Sequence, residues 1–202
     1  MNPYQLVEKQ LADRYASGHR DFARIDLREA RLKGIVLTGA QLCWADLTQA
    51  NLTEASLDDA NLMGAIMWRA VLAGTRLRWA NLHQAMMVRC DAAAADFKGA
   101  NLHRADLRLG NLRGANLAGA DLHGAKLCYS DLRKADLTGA DLTGADLTGA
   151  NLTGARMEAV CWQATLLQRT QLDASFALES ACMKDSALRR ACYTPMPPLT
   201  VV

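Results

Sequence analysis

From Leu27 to Leu172 every fifth residue falls in one register: 24 of those 30 positions are Leu, and Met67, Met87, Ala92, Phe97, Met157 and Trp162 are the exceptions. Two residues before each, from Ile25 to Thr170, 21 of 30 are Ala, and the residue between is Asp or Asn in 17 of 30. Such a period excludes an α-helix with one buried stripe, because successive repeats would rotate by about 140° and scatter the leucines around it. It also excludes a plain strand, which needs strict alternation. With each centre written as i, the pattern buries i−2 and i and leaves i+1, i+2 and the next i−1 outside. A short extended piece followed by a turn, coiling repeatedly about one axis, satisfies that rule.

The run A-(D/N)-L-x-x, clearest in "DLTGADLTGADLTGANLTGA" from 136 to 155, resembles the pentapeptide-repeat family over roughly residues 20–193. The resemblance implies an all-β fold, a right-handed quadrilateral parallel β-helix with four pentapeptides per coil and eight to nine coils over this length. The stretch "PYQLVEKQLADRYASGHRDFARIDLREARL" is similar to the N-terminal helix and opening coil of cyanobacterial members. Independently, Leu6, Val7, Leu11 and Tyr15 stand near helical spacing and Gly18 can end a helix. A helical cap over 1–19 is therefore expected, covering strand edges that would otherwise invite aggregation. Beyond Leu172 the register slips by one near 173–177, with Leu178, Met183, Leu188 and Tyr193 as the next centres and a bulge as the remedy. The proline-rich tail 194–202 cannot easily continue the coils.

Four repeats per coil make residues 20 apart vertical neighbours about 4.8 Å apart. The chain can then be rewritten as four faces, with centres at 22, 42 and 62 on the first, 27, 47 and 67 on the second, 32, 52 and 72 on the third, and 37, 57 and 77 on the fourth. Stacked Leu and Ala fill the interior, so no polar groups converge on an enclosed site, and neither catalysis nor a cofactor is expected. Ala92 is expected to repack with Cys90 beside Phe97 and leave no void. Asp and Asn interchange at i−1, which suits turn hydrogen bonds and not a general base. His83, His103 and His123 recur at intervals of 20 and predict a vertical imidazole ladder. A straight ladder sets rings side by side without converging them on a metal, and we read it as inherited coil duplication.

The six cysteines show no C-x-x-C pair and are read as reduced thiols, although Cys161 and Cys182 share a column once the slip is counted. "NLT" at Asn51 and Asn151 is the repeat itself. No signal-peptide region or span of roughly 18 apolar residues occurs, so a cytoplasmic protein is expected.

One stretch departs from the pattern. "IMWRAVLAGTRLRWANLHQAMMVR" at 66–89 contains two tryptophans and four arginines, and no acid occurs from 60 to 90. On the second face Ile66 and Met86, Trp68 and Val88, and Arg69 and Arg89 become vertical neighbours, an apolar patch edged by arginines that can continue through Val71. Apolar groups with Trp and Arg are the composition of a binding hot spot. Arg76, Arg78 and Trp79 form a separate fourth-face feature.

These residues predict a non-enzymatic interaction module that binds an unidentified protein partner, as a monomer or weak dimer. The resemblance also raises protection of a topoisomerase such as gyrase by DNA mimicry, which a net charge of +2 disfavours. Nucleic-acid binding through the arginine and tryptophan surface lacks a long basic groove.

Overall fold

The computed structural model describes residues 3–173. The coils, register slip and tail expected beyond 173 lie outside the described residues. From Asp21↔Gln41 to Asn151↔Gln171 the i−1 residues pair in parallel with partners 20 residues on, so four pentapeptides complete each coil. Pairing is confined to one residue per side per coil, with a turn at every corner.

Between the end coils, each pentapeptide disposes of its backbone donors in one way. The N–H of Leu27 donates to Asp46 O (2.7 Å), that of Glu29 to Thr48 O (2.9 Å) and that of Asp46 back to Ile25 O (2.9 Å), while the N–H of Ala30 closes the turn on Leu27 O (3.1 Å). Only the i+1 N–H has no backbone acceptor. The Asp or Asn at i−1 supplies it: Asp46 Oδ1 accepts from Thr48 N–H at 3.0 Å, and the same bond recurs from Ala23 to Thr153. This is the physical content of the Asp/Asn column.

The i+2 residue of every turn has a positive φ, and no β-branched residue occupies that column. Centres and i−2 residues form one continuous core, with Ala92 and Phe97 both fully buried in it. Thr75, Ser130 and Thr165 are buried at inward i−2 positions among the alanines. Thr75 donates to Leu52 O (2.7 Å), Ser130 to Leu127 O (2.7 Å) and Thr165 to Leu142 O (2.8 Å), so these hydroxyls are satisfied individually and do not converge.

Helix α1 (Pro3–Ala16) precedes the coils, and Gly18 follows it at φ 93°. Leu11 is buried in the core cluster, and the Tyr15 hydroxyl donates to Thr38 O at 2.9 Å. Arg31 belongs to the first coil, where no earlier coil offers a carbonyl, and its N–H donates instead to Glu8 Oε1 (2.5 Å). Among the described residues no helix is long and apolar enough to cross a membrane.

The Asp bonds predict acid lability. The Arg133 guanidinium holds the Asp131 carboxyl below its ordinary range, and Arg28 does the same for Asp26. At Asp136 and Asp146 burial pushes upward, but hydrogen bonds from Thr138 and Thr148 leave each carboxyl lowered. A carboxyl depressed on folding stabilises the native state above its unfolded pKa of about 3.9, and that contribution disappears as pH falls through the lower folded value. The melting midpoint by circular dichroism should therefore hold between about pH 7 and 5 and fall below about pH 4. A midpoint that instead drops between pH 7 and 5 refutes this account.

Candidate protein-interaction surface

On the second face the i−1 column runs Asp26, Asp46, Ile66, Met86, Asp106, Lys126, Asp146 and Leu166. Where it holds Asp, the carboxylate caps the i+1 N–H: Arg28 to Asp26 at 3.1 Å, Thr48 to Asp46 at 3.0 Å, Arg108 to Asp106 at 3.3 Å and Thr148 to Asp146 at 2.9 Å. Arg28 and Arg108 also fork onto their aspartates through Nε and Nη2. Two adjacent coils break this polar series with Ile66 and Met86, which pair directly with one another.

All six residues expected on the patch lie on this face. The Arg69 N–H donates to Val88 O (3.0 Å) and the Met67 N–H to Met86 O (2.8 Å), which sets the two coils in register. Trp68 is 40% exposed and Met86 45%, Ile66 and Val88 are half-buried, and Arg69 and Arg89 are exposed. The Arg69 guanidinium stands 4.5 Å from the Trp68 ring centroid, a cation–π contact that orients the indole. The N–H groups of Trp68 and Val88, which an Asp would cap elsewhere, have no acceptor among the described residues. Val71 is half-buried between Asn51 and Asp91 on the third face.

The face extends further than its sequence pattern suggested. Leu109 (48% exposed) and Tyr129 (58%) continue the Arg69–Arg89 corner upward. Reading the i+2 column at intervals of 20 would have found both.

The fourth-face cluster is neutralised. Arg76 pairs with Asp58 and Arg78 with Asp96, both across neighbouring coils, and Asp58 Oδ1 also accepts the Arg78 N–H at 3.0 Å. Trp79 is 63% exposed yet lies over Gly99, where an added Cβ would meet its ring at 2.2 Å. Trp44 covers Gly64 and Tyr129 covers Gly149 in the same way. Trp68 differs: it occupies i+1, and its ring faces Arg69 instead of a glycine.

The histidines do stack. Ring centroids are 5.2 Å apart for His83 and His103, at 30°, and 4.9 Å apart for His103 and His123, at 1°. Beside them runs an amide ladder in which Asn61 donates to Gln41 (3.1 Å), Asn81 to Asn61 (3.0 Å) and Asn101 to Asn81 (3.2 Å). Near-parallel rings place their nitrogens side by side, and no cluster suited to a metal occurs among the described residues. Cys43, Cys90, Cys128 and Cys161 are free, while Cys182 lies outside the described residues. Burial pushes the Cys90 thiol up to about 12 and, foremost among its causes, the Cys128 thiol up to about 11, so neither is a ready nucleophile at neutral pH.

The family model of pentapeptide repeats matches in 8 copies, over residues 21–53, 30–69, 40–78, 75–114 and 115–154. No curated protein matches. Among solved structures, HetL, a pentapeptide repeat protein involved in heterocyst differentiation regulation from the cyanobacterium Nostoc sp. strain PCC 7120, is 28% identical, with 80% of this chain and 95% of that chain covered and a TM-score of 0.44. Rfr23, a pentapeptide repeat protein from the cyanobacterium Cyanothece 51142, is 23% identical, with 82% and 99% covered and a TM-score of 0.36. QnrB1, a plasmid-mediated fluoroquinolone resistance protein, is 18% identical, with 76% and 91% covered and a TM-score of 0.47. TM-scores this low give these likenesses no weight for function.

Proposed function

Because the chain belongs to the pentapeptide-repeat family of right-handed quadrilateral β-helices, we propose that it is a non-enzymatic interaction module whose second face binds a protein partner. The observation that carries this reading is the two-coil break in the second face's aspartate series, where Ile66, Trp68, Met86 and Val88 replace polar residues with an exposed apolar patch edged by Arg69 and Arg89. Contiguous exposed apolar groups with Trp and Arg mark contact surfaces. In this reading 1–19 is the N-terminal cap, 20–193 the solenoid of eight to nine coils and 194–202 a tail, and the protein works in the cytoplasm as a monomer or weak dimer.

DNA mimicry in defence of a topoisomerase requires an acidic column, and the net charge is +2. Nucleic-acid binding loses two of its four arginines to the Asp58 and Asp96 pairs.

The test is capture from host lysate by the full chain, by the Trp68→Ala, Val88→Glu double variant and by a Lys98→Glu control on the fourth face, after circular dichroism shows all three folded. The partner held by wild type and control should bind the double variant on the order of thirtyfold more weakly by calorimetry, since central anchors contribute about 2 kcal/mol. Equal affinity for all three refutes the second-face site.

A further inference from the structure

Building on the second-face reading, we infer that the partner docks through a segment in which Asp or Glu side chains are interspersed with aliphatic or aromatic ones. Six arginines elsewhere on the column find carboxylates within the chain: Arg28 on Asp26 (2.6 Å), Arg108 on Asp106 (2.7 Å), Arg133 on Asp131 (2.6 Å), Arg156 on Asp136 (3.1 Å), and Arg76 and Arg78 on Asp58 and Asp96. Arg24, Arg31, Arg104, Arg113 and Arg169 make none among the described residues, but they lack the combination of Trp, Met and Val that flanks Arg69 and Arg89. Arg69 and Arg89 make no ion pair among the described residues, and the sequence holds no acid from 60 to 90.

The carboxylates bordering the patch are already engaged. Asp106 takes both fork contacts of Arg108, while Asp46 accepts the Thr48 N–H and faces Arg28 Nε at 3.8 Å. Lys126, one coil above Asp106, adds a further cation without an ion pair among the described residues. What the patch lacks, relative to the coils on either side, is therefore negative charge together with an acceptor for the Trp68 and Val88 N–H groups. A partner carboxylate supplies the missing charge at Arg69 and Arg89, while the partner's apolar side chains cover Ile66, Met86 and Val88.

A nucleic acid would use the same arginines but needs open aromatic faces for its bases. Here Arg69 already covers one face of the Trp68 ring, Tyr129 further up lays its ring over Gly149, and the other groups of the patch are aliphatic or thioether. The chemistry favours an acidic, apolar peptide.

Short random peptides displayed on phage, selected on the full chain, test this. Enriched sequences should be rich in Asp and Glu among Leu, Ile or Phe. A synthetic peptide of that sequence should bind at least about tenfold more weakly to the Arg69→Glu, Arg89→Glu variant, weaken as salt is raised, and bind the Lys98→Glu control normally. No enrichment, or enrichment without acidic excess, overturns the inference. Loss of binding with Val88→Glu but not with the arginine variant overturns the acidic partner and leaves the second-face surface standing; indifference to both overturns both. Tighter binding of a single-stranded DNA oligonucleotide than of the peptide, lost with the arginine variant, assigns the surface to nucleic acid instead.

Discussion

Replacing Gly64 by Ala should destabilise the column by about 3 kcal/mol, roughly three times the effect of the same change at Gly39. Both glycines occupy the i+2 corner, at φ 64° and 67°, so an added Cβ costs each about 1 kcal/mol of left-handed strain. At Gly39 the new Cβ meets nothing within 4 Å. At Gly64 it would lie 2.3 Å from Cε3 and Cζ3 of Trp44, so the ring must lift off the column. The indole is half exposed, and losing its packed half forfeits about 2 kcal/mol of apolar burial. In a Trp44→Ala background the Gly64→Ala penalty should shrink to that of Gly39→Ala, a coupling that urea unfolding of the four variants measures. Equal penalties at the two glycines in the wild-type background would sink the explanation.

That contrast bears on which exposed aromatics are free to recognise anything. Trp44, Trp79 and Tyr129 each lie over the glycine 20 residues on, so their exposure is partly a by-product of shielding a corner. Trp68 has no such glycine and belongs to the apolar break in an otherwise polar column. Gly64, Gly99 and Gly149 follow their aromatics by one coil and were visible in the sequence once columns were drawn, but the packing of ring on backbone was not.

The solenoid itself was legible because one rule, i−2 and i inward, is enforced in nearly every repeat by burial. The six second-face residues could be grouped for the same reason, since column membership follows from counting by 20. Charge pairing was less legible. Arg76 and Arg78 stand in an acid-free stretch, yet their partners Asp58 and Asp96 reach them diagonally from the coils below and above, 18 residues away. A linear window sees four arginines without an acid, whereas the folded column leaves only two of those four, Arg69 and Arg89, without an ion pair among the described residues. Thr75, Ser130 and Thr165 were also opaque, because a hydroxyl at an alanine position looks like mere smallness until its carbonyl acceptor is known.

Asn101→Asp should cost about 2 kcal/mol at neutral pH, while the formally identical Asn51→Asp should cost less than about half as much. Asn101 Nδ2 donates to Asn81 Oδ1 at 3.2 Å, a bond an ionised carboxylate cannot make, and its loss costs about 1 kcal/mol. The next coils place Asp121 and Asp141 in the same column, so the substitution stacks a third carboxylate at coil spacing. Each such pair repels by about 1 kcal/mol in a water-like dielectric, and the half exposure of Asp121 keeps it no larger. No arginine or lysine follows at i+1; that position is His103. Asn51, by contrast, keeps its bond as Asp, since Oδ1 accepts from the Thr53 N–H at 3.0 Å, and its column neighbours are Arg31 and Val71, so no carboxylate is stacked on another. The pH dependence separates this account from a generic loss of packing. Repulsion from the column disfavours the ionised form of the carboxyl introduced at 101, so the penalty is complete while that carboxyl is ionised and is relieved as pH falls and it takes up a proton, where the protonated acid can again donate to Asn81. The stability gap between wild type and Asn101→Asp should therefore narrow from pH 7 to about pH 4, before wild type itself weakens below about pH 4. A gap that stays constant across that range, or an Asn51→Asp penalty as large as that of Asn101→Asp, would show that stacked charge does not govern which i−1 positions carry Asp and which carry Asn.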